Sequence, residues 1–261
     1  MQEFDSDAEL IPLLTPEDEA EMNNEDLPET LAILPLRNTV LFPGVVIPIS
    51  AGRDKSIKLI NDANASGVDI GVVAQINEAD EDPTKNDVHK IGTVARILRV
   101  LKMPDGNITV ILQGKKRFCI DAVIAERPYM TAQVKEVEEK RPGIHDTEFT
   151  AIVDSIRELA IKIIKESPNI PTEATFAIRN IESQSFLINF VSSNMNLTVK
   201  EKQDLLAMNT LKERALETLR FMNVELQKLE LKNDIQSKVR FDLDQQQREY
   251  FLHQQMKTIQ E

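Results

Sequence analysis

The chain has 261 residues, 41% of them hydrophobic, enough for one or two modest cores, and a formal net charge of −12. Eleven acidic residues and no lysine or arginine fall within the first 36 positions, so the remainder is close to neutral and offers no simple electrostatic case for nucleic acid or an anionic membrane. Cys119 is the only cysteine, which excludes an intrachain disulfide and a cysteine-rich metal site and suits a reducing cytosol.

The opening MQEFDSDAEL has no basic stretch followed by an apolar one, which predicts a cytoplasmic chain with no membrane partner. Residues 1–30 are acidic and carry prolines; they read as a disordered tail that contributes little to stability. From 31 to about 140, all eight glycines up to one at 143 punctuate short runs with strand character: LAILPL, VVIPIS, DIGVVAQI, TVARILRVLKM, NITVILQ, RFCIDAVI and MTAQVKEV. Pro104-Asp105-Gly106 predicts a tight turn, and the alternation of Ile108, Val110 and Leu112 after it predicts one buried face. One helix is expected over residues 53–64, ending near Gly67. Seven strands and one helix imply a closed or half-open β-barrel, since closure removes sheet edges.

Beyond 146 the period becomes helical. Phe149, Ile152, Val153, Ile156, Leu159 and Ile163 make one stripe, Pro168 stops it, and shorter helical patterns follow within a bundle over 146–198. Thr198 and Glu201 form a capping box opening a segment without a breaker, read as one long helix over 199–261 with a second break possible at Asp244. Met208, Ala215, Met222 and Leu229 repeat at seven beside Leu205, Leu219 and Leu226. Lys212 and Asn233 interrupt the seam, favouring a helix that lies on its own domain and then projects. The pattern is still unbroken at Glu261, with no capping glycine, so more sequence is expected after it.

Catalytic chemistry is missing from the pattern. Gly114-Lys115-Lys116 lacks the earlier glycine and the following hydroxyl residue of a phosphate loop, and no Ser-x-x-Lys or Gly-x-Ser-x-Gly occurs. His89, His145 and His253 stand alone, and the acidic run Glu78 to Asp82 lacks a calcium loop's glycine, so neither cofactor nor metal is expected in this chain. The candidate contacts for a substrate or an interface are flexible or exposed apolar residues: Met195, Met208 and Met222, then Phe241, Tyr250, Phe251 and Met256.

Two separated sets of motifs carry a family resemblance. Leu34-Pro35-Leu36-Arg37-Asn38-Thr39-Val40-Leu41-Phe42-Pro43-Gly44, Gly52-Arg53-Asp54-Lys55-Ser56 and Gly92-Thr93-Val94-Ala95-Arg96-Ile97 resemble the Lon substrate-binding domain. Val199-Lys200-Glu201-Lys202-Gln203-Asp204-Leu205-Leu206 and Gln247-Arg248-Glu249-Tyr250-Phe251-Leu252 are similar to segments leading into the Lon ATPase. The resemblance implies an α+β fold, a PUA-like β-barrel followed by an α-helical subdomain ending in a long helix. It also implies a non-catalytic part of an ATP- and magnesium-dependent serine protease that is hexameric when complete, acting on unfolded or tagged proteins. The isolated segment is expected to be a monomer or weak dimer. A second reading is an independent PUA-like module for a small ligand or RNA, against which the near-neutral body and the absence of tryptophan weigh.

Overall fold

The computed structural model describes residues 14–260 apart from 105, 144 and 172. Its elements in order are α1 (Pro16–Asn24), β1 (Thr30–Leu36), β2 (Val46–Ala51), α2 (Asp54–Ser66), β3 (Ile70–Ala74), β4 (Ile91–Lys102), β5 (Ile108–Ala125) and β6 (Thr131–Glu136). Then come α3 (Thr147–Glu166), α4 (Ala174–Asn180), α5 (Gln184–Asn194), α6 (Val199–Ala207) and α7 (Leu211–Gln260).

The strands run β2-β5-β4-β3-β1-β6, and a further pairing of β6 with β5 closes β5, β4, β3, β1 and β6 into a ring. All pairings are antiparallel except β1 with β3. Ile108, Val110 and Leu112 are buried, as their alternation requires, and α2 packs Leu59, Ile60 and Ala63 onto the same core.

NITVILQ and RFCIDAVI are not two strands but one, because β5 runs unbroken through Gly114-Lys115-Lys116. In the sequence that polar gap separates two predicted strands. In the fold, a side chain at Gly114 would meet the Phe42 carbonyl at 2.3 Å, so glycine is what admits the neighbouring backbone. The cations that follow are buried and paired across the chain. Lys115 pairs with Glu25 and Asp69, and Lys116 pairs with Glu136 at 3.1 Å.

The expected disordered tail requires correction over its described part. Thr15 and Asp18 cap α1 reciprocally, Pro16 occupies its first turn, and the helix docks on the body. Leu14 and Met22 pack on the core, while Glu19 binds Arg141 and Ser183, and Glu25 binds Lys115 and Arg96. Acidic composition argues for disorder only while those charges lack partners, and here the body supplies them. Residues 1–13 of that tail lie outside the described residues. Burying Leu14 stabilises by roughly 1.5–3 kcal/mol. Removing residues 1–26 should therefore lower the melting temperature by roughly 3–10 °C, measured by scanning fluorimetry; an unchanged value would return the segment to a passive tail.

The single helix expected over 199–261 is two. The capping box at Thr198 and Glu201 is present, but α6 ends at Ala207 and α7 begins at Leu211. Thr210 bridges to Lys140 as an isolated parallel pair, and its hydroxyl accepts from the Glu213 N–H at 3.2 Å, restarting the helix. From there α7 is continuous through Asp244.

Helix α7 lies along α3 in parallel. Lys212 reaches Asp146 and Glu148 at the start of α3, at 2.9 and 2.7 Å, and Glu230 pairs with Lys162. Asn233 donates to the Glu166 carbonyl at its end, at 3.2 Å. The two residues that interrupt the heptad thus mark the ends of an intramolecular contact, with Ala215, Met222 and Leu226 buried between them. Past Asn233 the residues of α7 are exposed on every face through Met256, and a stretch of roughly 40 Å of helix extends beyond the contact with α3. The Phe149 N–H bond and the Lys212 ammonium hold the Asp146 carboxyl below its ordinary range. Its contribution is complete above the ordinary aspartate pKa and is lost as pH falls through the lowered one. The urea midpoint should consequently drop on acidification below about pH 4, and drop less in Asp146→Asn.

Candidate functional site

Three strands, β2, β5 and β4, present an outer face that no helix of the described residues covers. The register places Pro48 beside Ile111 and Ile111 beside Arg99, with Ser50, Thr109 and Leu101 in the next row. A register shift between Ile97 and Arg99 inserts Leu98 as an extra residue on β4. Leu98, Leu101 and Met103 are 49%, 43% and 46% exposed, Pro48 is exposed, and Ile111 is half-buried among them. Arg96, Arg99 and Lys102 rim this apolar area. The turn beyond it closes with the Met103 N–H on the Asn107 carbonyl at 2.9 Å, and Gly106 has φ +87° as the turn motif predicts.

The face is held rigidly. The segment between β1 and β2 sends Leu41 into the barrel core and Val40, Phe42 and Val45 into the helical core. The Thr93 hydroxyl donates to the Leu41 carbonyl at 2.6 Å and the Asn189 amide to the Pro43 carbonyl at 3.2 Å. Gly44, at φ +79°, lies where a Cβ would sit 2.8 Å from the Phe186 ring and 2.9 Å from Leu14.

Below the barrel, two arginines join it to the helices. Arg117 on β5 donates to the carbonyls of Leu206 and Met208 at 2.8 and 2.7 Å. Arg214 on α7, fully buried, donates to the carbonyls of Leu205 and Met208, to Asn189 and to Glu139. Burial and the nearby Arg214 push the Arg117 guanidinium down to about 10, so it stays charged at neutral pH. Replacing Arg214 with methionine should cost about 3–5 kcal/mol in chemical denaturation, because Glu139, the Asn189 side chain and the carbonyls of Leu205 and Met208 lose a donor. Lysine should not rescue it, lacking the planar fork; full rescue would mean that charge alone matters there.

Of the residues singled out in the sequence, Met222 is 1% exposed between α3 and α7, and Met195 and Met208 are half-buried against the helical core. None of the three lies on the sheet face. Phe241, Tyr250, Phe251 and Met256 are exposed along the free part of α7, with the Tyr250 and Phe251 rings edge-on at 6.3 Å. The sheet face was missed although its signal is present: Ile97, Leu98, Val100, Leu101 and Met103 put apolar residues on both parities of one strand, one face more than a barrel wall buries.

Gly114-Lys115-Lys116 does not fit a nucleotide phosphate, since Lys115 is taken by Glu25 and Asp69 and Gly114 is pressed on the Phe42 carbonyl. Among the described residues no cluster of three histidines, cysteines or carboxylates could hold a metal ion, and no helix is long and apolar enough to cross a membrane.

Residues 30–224 match the family of ATP-dependent protease La (LON) substrate-binding domains. The chain belongs to the Lon substrate-binding domain family. Over all 261 residues it is 84% identical to the Lon protease of Flavobacterium johnsoniae, and over 253 residues 49% identical to that of Cytophaga hutchinsonii. It covers 100% and 97% of itself in these matches but only 32% and 31% of the relatives, so it spans about a third of their length. The N-terminal domain of the Mycobacterium avium complex Lon protease shares the fold at a TM-score of 0.60 and 21% identity, covering 74% of this chain and 98% of that one. The Lon N-terminal domain protein from Xanthomonas campestris does so at 0.53 and 16%, covering 73% and 97%. These likenesses support an α+β Lon N-terminal fold.

Proposed function

We propose that the outer face of β2, β5 and β4 captures apolar segments of unfolded proteins and delivers them to the remainder of a longer Lon protease. The exposed cluster of Leu98, Leu101 and Met103 on a rigid sheet carries this reading, because a contiguous apolar area rimmed by cations is an interaction surface more often than an accident of folding. Methionine and leucine there adapt to varied apolar side chains, while the exposed Arg99 and Lys102 favour segments with neighbouring acidic residues. Leu98→Ser with Leu101→Ser should weaken binding of a reduced, carboxymethylated protein about tenfold by fluorescence anisotropy and leave unfolding stability within about 0.5 kcal/mol. Undiminished binding would remove the face from substrate capture.

On this reading the whole protein is a cytoplasmic, ATP-dependent serine protease that degrades misfolded and regulatory proteins, with ATP and magnesium used outside the present residues. Helix α7 is the strut between capture and the rest, and its free half, with Phe241, Tyr250, Phe251 and Met256 exposed, meets other parts of a homohexamer. Ending the chain after Asn233 should leave a folded monomer at micromolar concentration, while the 261-residue chain forms at most a weak dimer in analytical ultracentrifugation. A tight dimer of the shorter chain would place self-association in the barrel or the α3–α7 pair.

A further inference from the structure

The barrel wall has an open seam. One edge of β5 pairs with β2 over Ile108 to Gln113 and with β6 over Phe118 to Ala125, and β6 pairs in turn with Thr30 to Ala32 of β1. No pairing joins β2 to the rest of β1. The Leu36 carbonyl accepts from the Gln75 N–H on the β3 side, and the Ile33 N–H donates to the Met130 carbonyl on the β6 side. Backbone groups alternate along a strand, so Ile33, Pro35 and Arg37 turn theirs away from β3 and toward the seam. Pro35 there, and Pro48 in the middle of β2, have no N–H to give, which is the physical reason the two edges do not zip together.

Between the edges lies a groove of about 930 Å³, lined by Leu34, Pro35, Ile47, Pro48 and Ile49 along its walls, with Arg37 and Arg53 also bordering it. Arg53 is held by the Gln75 side chain at 2.6 Å and the Asp80 carbonyl at 3.1 Å. Arg37 is exposed and makes no hydrogen bond or ion pair with the described residues, although its charge lies near enough to Arg53 to act on it. Among the described residues the one acidic side chain lining the groove is Glu81, while Asp82 nearby is engaged by Lys55. Two guanidiniums against one carboxylate leave a net positive border on a slot whose lining joins the apolar residues with Asn38, Thr39, Ser50 and Ser56.

We propose that this groove binds the carboxyl-terminal end of an extended polypeptide, its terminal carboxylate on Arg37 and Arg53 and its apolar side chains against Pro35, Ile47, Pro48 and Ile49. The occupant's chemistry follows from what the slot offers. Extended chain fits between two strand edges, and its N–H groups meet the carbonyls that Pro35 and Pro48 still present. A carboxylate matches the planar donors of a guanidinium, and a chain end supplies one without a second buried charge. The inference rests on substrate capture by this domain and adds the feature that capture reads. The sheet face holds apolar residues from anywhere in a chain, and the groove reads only where a chain ends.

The test uses the 261-residue chain and a dye-labelled apolar peptide, made with a free terminal carboxylate and as its terminal amide, both titrated by fluorescence anisotropy. The free acid should bind at least about tenfold more tightly than the amide, as expected for one charge-assisted contact. Arg37→Gln should close that gap and Arg37→Lys should keep part of it, whereas Leu101→Ser should weaken both peptides by the same factor. Equal affinities of acid and amide for the unaltered chain would overturn the groove proposal. Parallel weakening by Leu101→Ser in that case would still uphold the sheet face, so the two readings fail separately. Displacement of the free acid by inorganic phosphate at lower concentration than by acetate would make the arginines a general anion site and would equally overturn the proposal.

Discussion

Two buried guanidiniums at the end of α6 hold the barrel and the helices as one object. A helix C-terminus leaves carbonyls without partners and carries the negative end of the helix dipole. Arg117 from β5 and Arg214 from α7 reach it from opposite sides and between them take the carbonyls of Leu205, Leu206 and Met208. Isolated, either charge would be costly to bury; here each satisfies acceptors that would otherwise be orphaned. The same contacts explain why the chain cannot continue as one helix past Ala207. Breaking it exposes the carbonyls that the arginines need, and Thr210 with Lys140 then fixes the angle at which α7 leaves.

From that joint the remaining architecture follows by packing. Helix α7 starts at a position set by Arg214 and runs beside α3, tied at one end through Lys212 and at the other through Asn233. The acidic α1 covers the seam between the halves, with Glu25 on barrel cations and Glu19 on Arg141 and Ser183. Phe42 and Val45, from the connection between β1 and β2, fill the helical core. With so many elements shared, a bound segment on the outer sheet would act on one packed body from which, among the described residues, α7 projects.

Both proposed contacts sit on β2 and its neighbours, and both arise where the barrel is imperfect. An inserted residue at Leu98 turns an ordinary wall into an apolar surface, and two prolines leave a slot where a further strand pairing would have closed it. Binding surfaces on a β-barrel need such departures, because a perfectly paired and alternating wall shows solvent only polar side chains and no free edge.

Local patterns determined much of this protein: the alternation of Ile108, Val110 and Leu112, the helix ending at Gly67, the capping box at Thr198, and the stripe from Phe149 through Ile156 all depend on neighbours in sequence and stand as read. The surplus of apolar residues on β4 is also present in the sequence, but it was not read as a surface. What only the tertiary structure decided were features whose partners lie far along the chain. Lys115 and Lys116 fall in a gap between two predicted strands until Glu25 and Glu136 are seen beside them, and the acidic residues before β1 resemble a loose tail until those cations meet them. The Thr210-Leu211-Lys212-Glu213 cap pattern marks where a helix could restart, but the break at Ala207 is held by donors that arrive from β5 and α7. Periodicity reports which side of an element is buried, whereas a buried charge is explained only by the group it meets, and that meeting exists only once the chain has folded.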